Sequence, residues 1–277
     1  MIGQNGLLSV IDEQIFMDEF PRFSIIVGPK GSGKKTLTLA IAYALEVHRA
    51  FIEPKVDAVR EMIKNAYTVK EPILYVIDNA DTMSVQAKNA MLKVCEETPN
   101  NAYIVMLVND ISSVLDTLKS RAGIYYMQPY TPQEIRKFGD TQNLNERELE
   151  IIADICETPG DVVLMKSYGI ENMYNFVQKV VDNIADVSSA NALKIADSIS
   201  FKDGKDGYDI ELFLKTFKSI CGNELKRAVA NNDIETQMYY SAGIKVVTNT
   251  LNQIKIIGIN KGALFDMFIL DIRKEWY

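Results

Sequence analysis

Residues 24–45, SIIVGPKGSGKKTLTLAIAYAL, restrict the fold of this chain more than any other stretch. Ser24, Ile25, Ile26 and Val27 form an apolar run that reads as a buried parallel strand. Leu37, Ala40, Ile41, Ala44 and Leu45 then recur at helical spacing. Between them lie Gly28, Pro29, Lys30, Gly31, Ser32, Gly33 and Lys34, the layout of a phosphate-binding loop. Glycines let the backbone turn its amides inward, and the helix N-terminus adds positive potential. Lys34 is the point charge for the outer phosphates. The pattern GxxxxGK[ST] then fails, because Lys35 stands where a hydroxyl should ligate Mg²⁺. An ammonium cannot ligate a cation, and Thr36 is rotated by about 100° from the required direction. The alternative is a glycine-rich turn with no ligand.

A second apolar run, Ile73 to Ile77, ends in Asp78. A carboxylate at that strand end beside a phosphate loop is the usual place for a metal-binding acid. Asn79 follows it, where ATPases of this layout carry a glutamate, and an amide cannot take a proton from water at neutral pH. The two departures, Lys35 and Asn79, strike metal and base separately, so hydrolysis at this site is expected to be feeble. A third run, Tyr103 to Val108, ends in Asn109, whose amide would face the γ-phosphate region of a parallel sheet.

Composition narrows the class. The 277 residues carry a net charge of −7 with 47% hydrophobic and 24% charged residues, so any nucleic-acid contact must be local or supplied by partners. No run reaches the length of a membrane span. The first residues carry acids and no basic segment, unlike a secretory signal. Cys95, Cys156 and Cys221 are far apart with no CxxC spacing, which argues against zinc and a disulfide framework and fits a reducing cytoplasm. The single histidine, His48, has no second ligand near it and reads as a surface or helix-end residue. All eight prolines lie at or before Pro159, as expected if the C-terminal part is mostly helical.

Taken together, Gly3-Gln4, GPKGSGK, Val56-Asp57 with Arg60-Glu61, ILYVIDNAD, VQAKNAMLKVCEET, MLVND and LKSRA occur in order over about the first 130 residues. This set resembles the AAA+ clamp-loader subunits, most closely the delta-prime kind of bacterial DNA polymerase III. The resemblance implies an α/β fold: an AAA+ P-loop domain with a central parallel sheet over 1–130, a small helical lid over 131–185, and a C-terminal helical bundle, or collar, over 186–277. It implies ATP or ADP in the loop, Asp78 as the metal-binding acid and Asn109 as first sensor. Arg121 of Ser120-Arg121-Ala122 would be an arginine acting in trans on a neighbour's ATP. The alternative for Arg121 is a surface salt bridge at a strand start. Implied partners are gamma/tau-like ATPases, a delta-like subunit, the sliding clamp and primer–template DNA, with no membrane.

Departures from the family also register. Ala122 replaces a cysteine, the four-cysteine zinc module is missing, and no base follows Gly160 before Lys166, where a second-sensor arginine belongs. The expected role is a subunit with little ATPase activity of its own that lends Arg121 to a neighbour. A self-sufficient AAA+ ATPase of replication or repair and a stand-alone nucleotide-sensing adaptor are the alternatives. Thr131, Pro132 and Glu134 read as a capping box at the domain junction. Gln86, Lys88 and Asn89 form either a DNA-facing or merely a solvated helix face. Three apolar stripes, Phe213/Phe217/Ile220/Cys221, Ile244/Val247/Leu251/Ile254 and Leu264/Phe265/Phe268/Ile269/Ile272, read as bundle core, and 202–207 as a polar turn.

Overall fold

Every strand of the single sheet pairs in parallel, because each is followed by a helix that carries the chain back across a face. The computed structural model describes residues 1–188, 208–256 and 258–276; the polar stretch 202–207 lies outside them. The strands are β1 (Phe23–Val27), β2 (His48–Ile52), β3 (Ile73–Ile77), β4 (Ala102–Val108) and β5 (Gly123–Tyr126), in the order β2-β3-β4-β1-β5. This is the parallel α/β sheet expected from the sequence.

Alternation along the strands divides the side chains into two cores. Ile25, Tyr75, Ile77, Ile104 and Met106 point to one face, against Val59, Met62 and Ala66 of α3 (Val56–Thr68) and Ala87, Met91, Val94 and Cys95 of α4 (Val85–Glu96). Ile26, Leu74, Val76, Val105 and Leu107 point to the other, against Leu7 and Ile11 of α1 (Asn5–Phe16) and Leu37, Ile41 and Ala42 of α2 (Lys34–Ala44). Burying one such Leu or Ile is worth about 1.5–3 kcal/mol, so a strand covered on both faces needs an unbroken apolar run.

Two readings of the sequence are corrected here. The α2 face consists of Leu37, Thr38, Ile41 and Ala42, whereas Ala44 is exposed. His48 is exposed but does not close a helix: α2 ends at Ala44, and His48 opens the edge strand β2. That strand escapes notice because an edge strand is half exposed, so His48-Arg49-Ala50-Phe51-Ile52 shows no continuous apolar run. At the other edge, β5 is preceded by α5 (Asp116–Lys119) and by Arg121.

Gln4 is fully buried. Its side-chain amide donates to the Gln128 carbonyl at 2.9 Å and accepts from the Gln128 amide at 2.8 Å, so the Gly3-Gln4 pair fastens the N-terminal segment to the end of β5.

Chain contacts divide the described residues into two compact units, Met1–Glu134 with Thr158–Gly160, and Ile135–Glu157 with Asp161–Tyr277. At the junction the expected capping box is present: Thr131 Oγ1 accepts from the Glu134 amide, and Glu134 Oε2 accepts from the Thr131 amide. The box starts α6 (Pro132–Asp140). Next come α7 (Glu146–Ile155), α8 (Pro159–Tyr168) and α9 (Ile170–Asn183), then α10 (Ile210–Ala230), α11 (Ile234–Gln253) and α12 (Lys261–Trp276).

The first and third apolar stripes are wholly buried in the second unit. In the second stripe Val247 and Ile254 are buried, and Ile244 and Leu251 are half-buried. Aromatic rings knit this core: Phe213 meets Phe265 edge-on at 5.2 Å, and Trp276 stacks on Tyr239 at 4.3 Å while donating Nε1–H to the Tyr239 carbonyl. No helix among the described residues is long and apolar enough to cross a membrane.

All three cysteines are free and buried, and burial pushes each thiol up, Cys221 to about 12. A thiol–disulfide reagent should find no fast-reacting group in the native protein and three after unfolding. One rapid native thiol would contradict this packing.

Candidate functional site

The phosphate loop rises from β1 at the carboxyl edge of the sheet and ends at the first turn of α2. The Gly28 amide donates to the Val108 carbonyl at 3.1 Å, which ties the loop to β4. Gly33 caps α2 at φ +93°, and Gly31 lies at φ +81°, a region that side chains adopt only with strain. The amides of Gly33, Lys34, Lys35 and Thr36 give no hydrogen bond to any described residue. Ser32 is buried, and its Oγ has no partner. Unspent donors and an orphaned buried hydroxyl around one turn fit the oxygens of a phosphate group. Pro29 and Lys30 are exposed on the rim.

Gly31 also touches the segment that follows α7. The Gly160 amide donates to the Gly31 carbonyl at 3.0 Å, and a Cβ on Gly31 would lie 2.7 Å from Thr158 Oγ1 and 2.8 Å from Gly160 Cα. Gly31→Ala should therefore cost about 1–3 kcal/mol in backbone strain, with the clash added, as measured by urea unfolding under far-UV circular dichroism. Gly6→Ala, whose Cβ meets nothing, is the matched control and should be neutral or stabilising. Equal stability of the two variants would refute the packing of this loop.

Lys34 does not point into open space. Its Nζ donates to the carbonyls of Gly28 at 2.5 Å and Pro29 at 3.0 Å and to Asn109 Oδ1 at 3.0 Å. Partial burial lowers its pKa, opposed by the charges of Asp81 and Asp78, and a phosphate would add negative charge beside this half-buried ammonium. Asn109 is in turn held by Asp81. The Asp81 carboxylate accepts from the amides of Asn109 and Asp110, from Asn109 Nδ2 at 3.0 Å and from Ser113 Oγ at 3.0 Å. The sequence reading passed over Asp81, although an acid three residues beyond Asp78 on a strand-end turn was a visible signal.

The Mg²⁺ that the family pattern implies does not fit these residues. Lys35 Nζ lies 2.7 Å from Asp78 Oδ2, so the acid meant for the metal is already paired with an ammonium. Thr36 is exposed, one residue further along α2. The backbone of Lys35 is pinned as well, its carbonyl accepting from Arg49 Nη1 at 2.9 Å. Asn79, at φ +49°, directs Nδ2 to Asp78 Oδ2 at 3.2 Å and offers no base. No cluster of three or more His, Cys, Asp or Glu side chains that could hold a metal ion occurs among the described residues.

The remaining expectations separate. Arg121 lies apart from this loop, at the β5 edge, with its side chain 36% exposed and paired to Glu96 at 2.6 Å; its Nη1 donates to the Thr117 carbonyl. Glu96 was not anticipated as its partner. Lys88 is corrected: it is only 8% exposed and donates Nζ–H to the Ser113 carbonyl at 2.6 Å, so it cannot meet a DNA phosphate, whereas Gln86 and Asn89 are exposed. The first base after Gly160, Lys166, is engaged within the second unit, donating to the Gln142 carbonyl at 2.7 Å.

Comparison with known proteins finds the following similarities. Residues 50–131, which hold Asp78, Asn109 and Arg121 but not the phosphate loop, match the family described as DNA polymerase III, delta subunit. Replication factor C subunit 3 of Schizosaccharomyces pombe is 27% identical over 50% of this chain and 45% of its own length. Replication factor C small subunit 1 of Pyrobaculum aerophilum is 29% identical over 63% of this chain and 58% of its own. Mouse replication factor C subunit 5 is 23% identical over 86% of this chain and 74% of its own. The chain thus spans about half the length of the first curated relatives it matches. A DNA polymerase III gamma subunit-related protein of Thermotoga maritima shares the fold, with a TM-score of 0.56 at 16% identity over 98% of this chain and 100% of that one. By matched segment and relatives the chain is similar to clamp-loader subunits, and it shares its fold with the gamma subunit-related protein.

Proposed function

We propose that this chain is a delta-prime-like clamp-loader subunit of the cytoplasm that hydrolyses little or no ATP itself and lends Arg121 to the ATP held by a neighbouring subunit. The observation that carries the reading is the Lys35–Asp78 pair, 2.7 Å long, which sets an ammonium rather than a metal-ligating hydroxyl beside the acid in the chain's own pocket. Asn79 removes the base from the same pocket. Arg121 keeps a charged, forked group at the surface beside an edge strand, where a planar guanidinium can grip phosphate oxygens across a boundary.

In this reading the lid is 131–185 and the collar 186–277, and the collar holds the chain in a ring with gamma/tau-like ATPases and a delta-like subunit. The ring would open the sliding clamp and place it on primer–template DNA. The rival reading, a self-sufficient AAA+ ATPase, needs a metal at Asp78. The deciding experiment is ATP turnover by the isolated chain and by its mixture with clamp-loader ATPase subunits. The proposal expects none from the chain alone and a rise in the mixture beyond what the partners show without it. Brisk turnover by the isolated chain would favour the rival.

A further inference from the structure

We infer that the pocket takes up the phosphates of a nucleoside di- or triphosphate without a divalent cation, the Lys35 ammonium carrying the charge a metal would bring. The inference rests on reading the loop as a phosphate site and concerns what that site does when it does not hydrolyse. Its basis is the disagreement between the loop and the metal. The cradle is intact: open amides at Gly33, Lys34, Lys35 and Thr36, the orphaned Ser32 hydroxyl, and Lys34 anchored at the loop's mouth. The metal's position is not. Lys35 Nζ is 2.7 Å from Asp78 Oδ2, close enough to repel any divalent ion approaching that carboxylate.

The Lys35 side chain is well placed to be shared. It is 61% exposed, so the pair is not locked in a dry interior, and the ammonium has three donors, of which Asp78 uses one. Its stem rises from the first turn of α2, next to Lys34, and its backbone is held by Arg49. A phosphate entering the cradle meets two consecutive ammonium groups on one helix end. The pair of lysines replaces the lysine and metal that the common pattern supplies, and the charge comes covalently attached rather than from solution.

Binding of ADP and of ATP to the full chain, measured by calorimetry with Mg²⁺ and again with EDTA, tests this. Wild-type affinity should agree within about threefold between the two conditions. Lys35→Thr restores the pattern's hydroxyl and frees Asp78, so its binding should become about tenfold tighter with Mg²⁺ than with EDTA, and bound Mn²⁺ should become visible by paramagnetic resonance in the variant alone. Lys35→Met, which removes the charge and offers no ligand, should weaken binding in both conditions by about tenfold. Wild-type binding that is tenfold tighter with Mg²⁺ overturns the inference, as does an unchanged affinity in Lys35→Met. Absence of nucleotide binding under either condition overturns it too, yet leaves the lending of Arg121 standing, because that role needs no nucleotide in this pocket.

Discussion

Arg121→Ala should lower ATP turnover at the neighbouring site that it faces by a thousandfold or more, since a lent arginine is worth about 10³–10⁵ in nucleotide hydrolysis. Its present partner does not stand in the way. The pair with Glu96 is partly exposed on both sides, at 36% and 50%, and a pair of that kind contributes about 0–1 kcal/mol. The role expected of the arginine is worth about 4–7 kcal/mol on the rate scale, so a triphosphate across the boundary outcompetes Glu96. Arg121→Lys should rescue only weakly, because an ammonium lacks the bidentate fork. Glu96→Gln should leave turnover at or above the wild-type level. These rates are to be read in single-turnover experiments on the mixture with ATPase partners, and an unchanged rate in Arg121→Ala would remove the role.

The second large effect is on stability. Lys215 of α10 is 11% exposed and draws together Glu157 Oε2 at 3.0 Å, Asp161 Oδ2 at 3.1 Å and Glu211 Oε1 at 3.5 Å, so it ties the expected lid range to the expected collar range. Burial alone would lower its pKa, yet the attraction of Asp161, Glu157 and Glu211 outweighs burial and holds the ammonium above the ordinary lysine value. Lys215→Met should destabilise the second unit by about 1–3 kcal/mol, because it takes the ammonium away from Asp161, which is largely covered and also accepts from the Glu157 amide. Urea unfolding followed by the fluorescence of Trp276, the chain's single tryptophan, reads that unit directly. The sign with pH follows from the raised pKa: the contribution is complete below the ordinary lysine value and is lost as pH climbs through the higher folded value. The gap between wild type and variant should thus stay constant through neutral pH and close only in strong alkali. A variant as stable as wild type would contradict the contribution of this cluster.

Which parts were legible from the sequence follows from how each is built. β1, β3 and β4 are central strands covered on both faces, so burial forces continuous apolar runs that any reader can find. β2 is an edge strand and carries no such run, so nothing around His48 marks a strand. Lys35 and Asp78 were each singled out, but their meeting depends on the sheet setting the α2 N-terminus beside the end of β3, which no local pattern records. The Thr131–Glu134 box was readable because it is closed within one helical turn. Asp81 is visible as an acid on a strand-end turn, but its role is not, because its partners Asn109 and Ser113 lie beyond the end of β4, distant in sequence. Lys88 shows the opposite failure: the resemblance set it on a face toward DNA, and the neighbouring turn at Ser113 holds it instead.

The proposed function assigns phosphate binding in the chain's own loop and catalysis at its neighbour to different residues. It is tested most directly by single-turnover ATP hydrolysis in the assembled mixture, comparing a lesion in the chain's own loop, Lys34→Met, with Arg121→Ala. Lys34→Met should leave the chemical step at its wild-type rate while Arg121→Ala collapses it. A collapse in Lys34→Met with little change in Arg121→Ala would contradict that assignment.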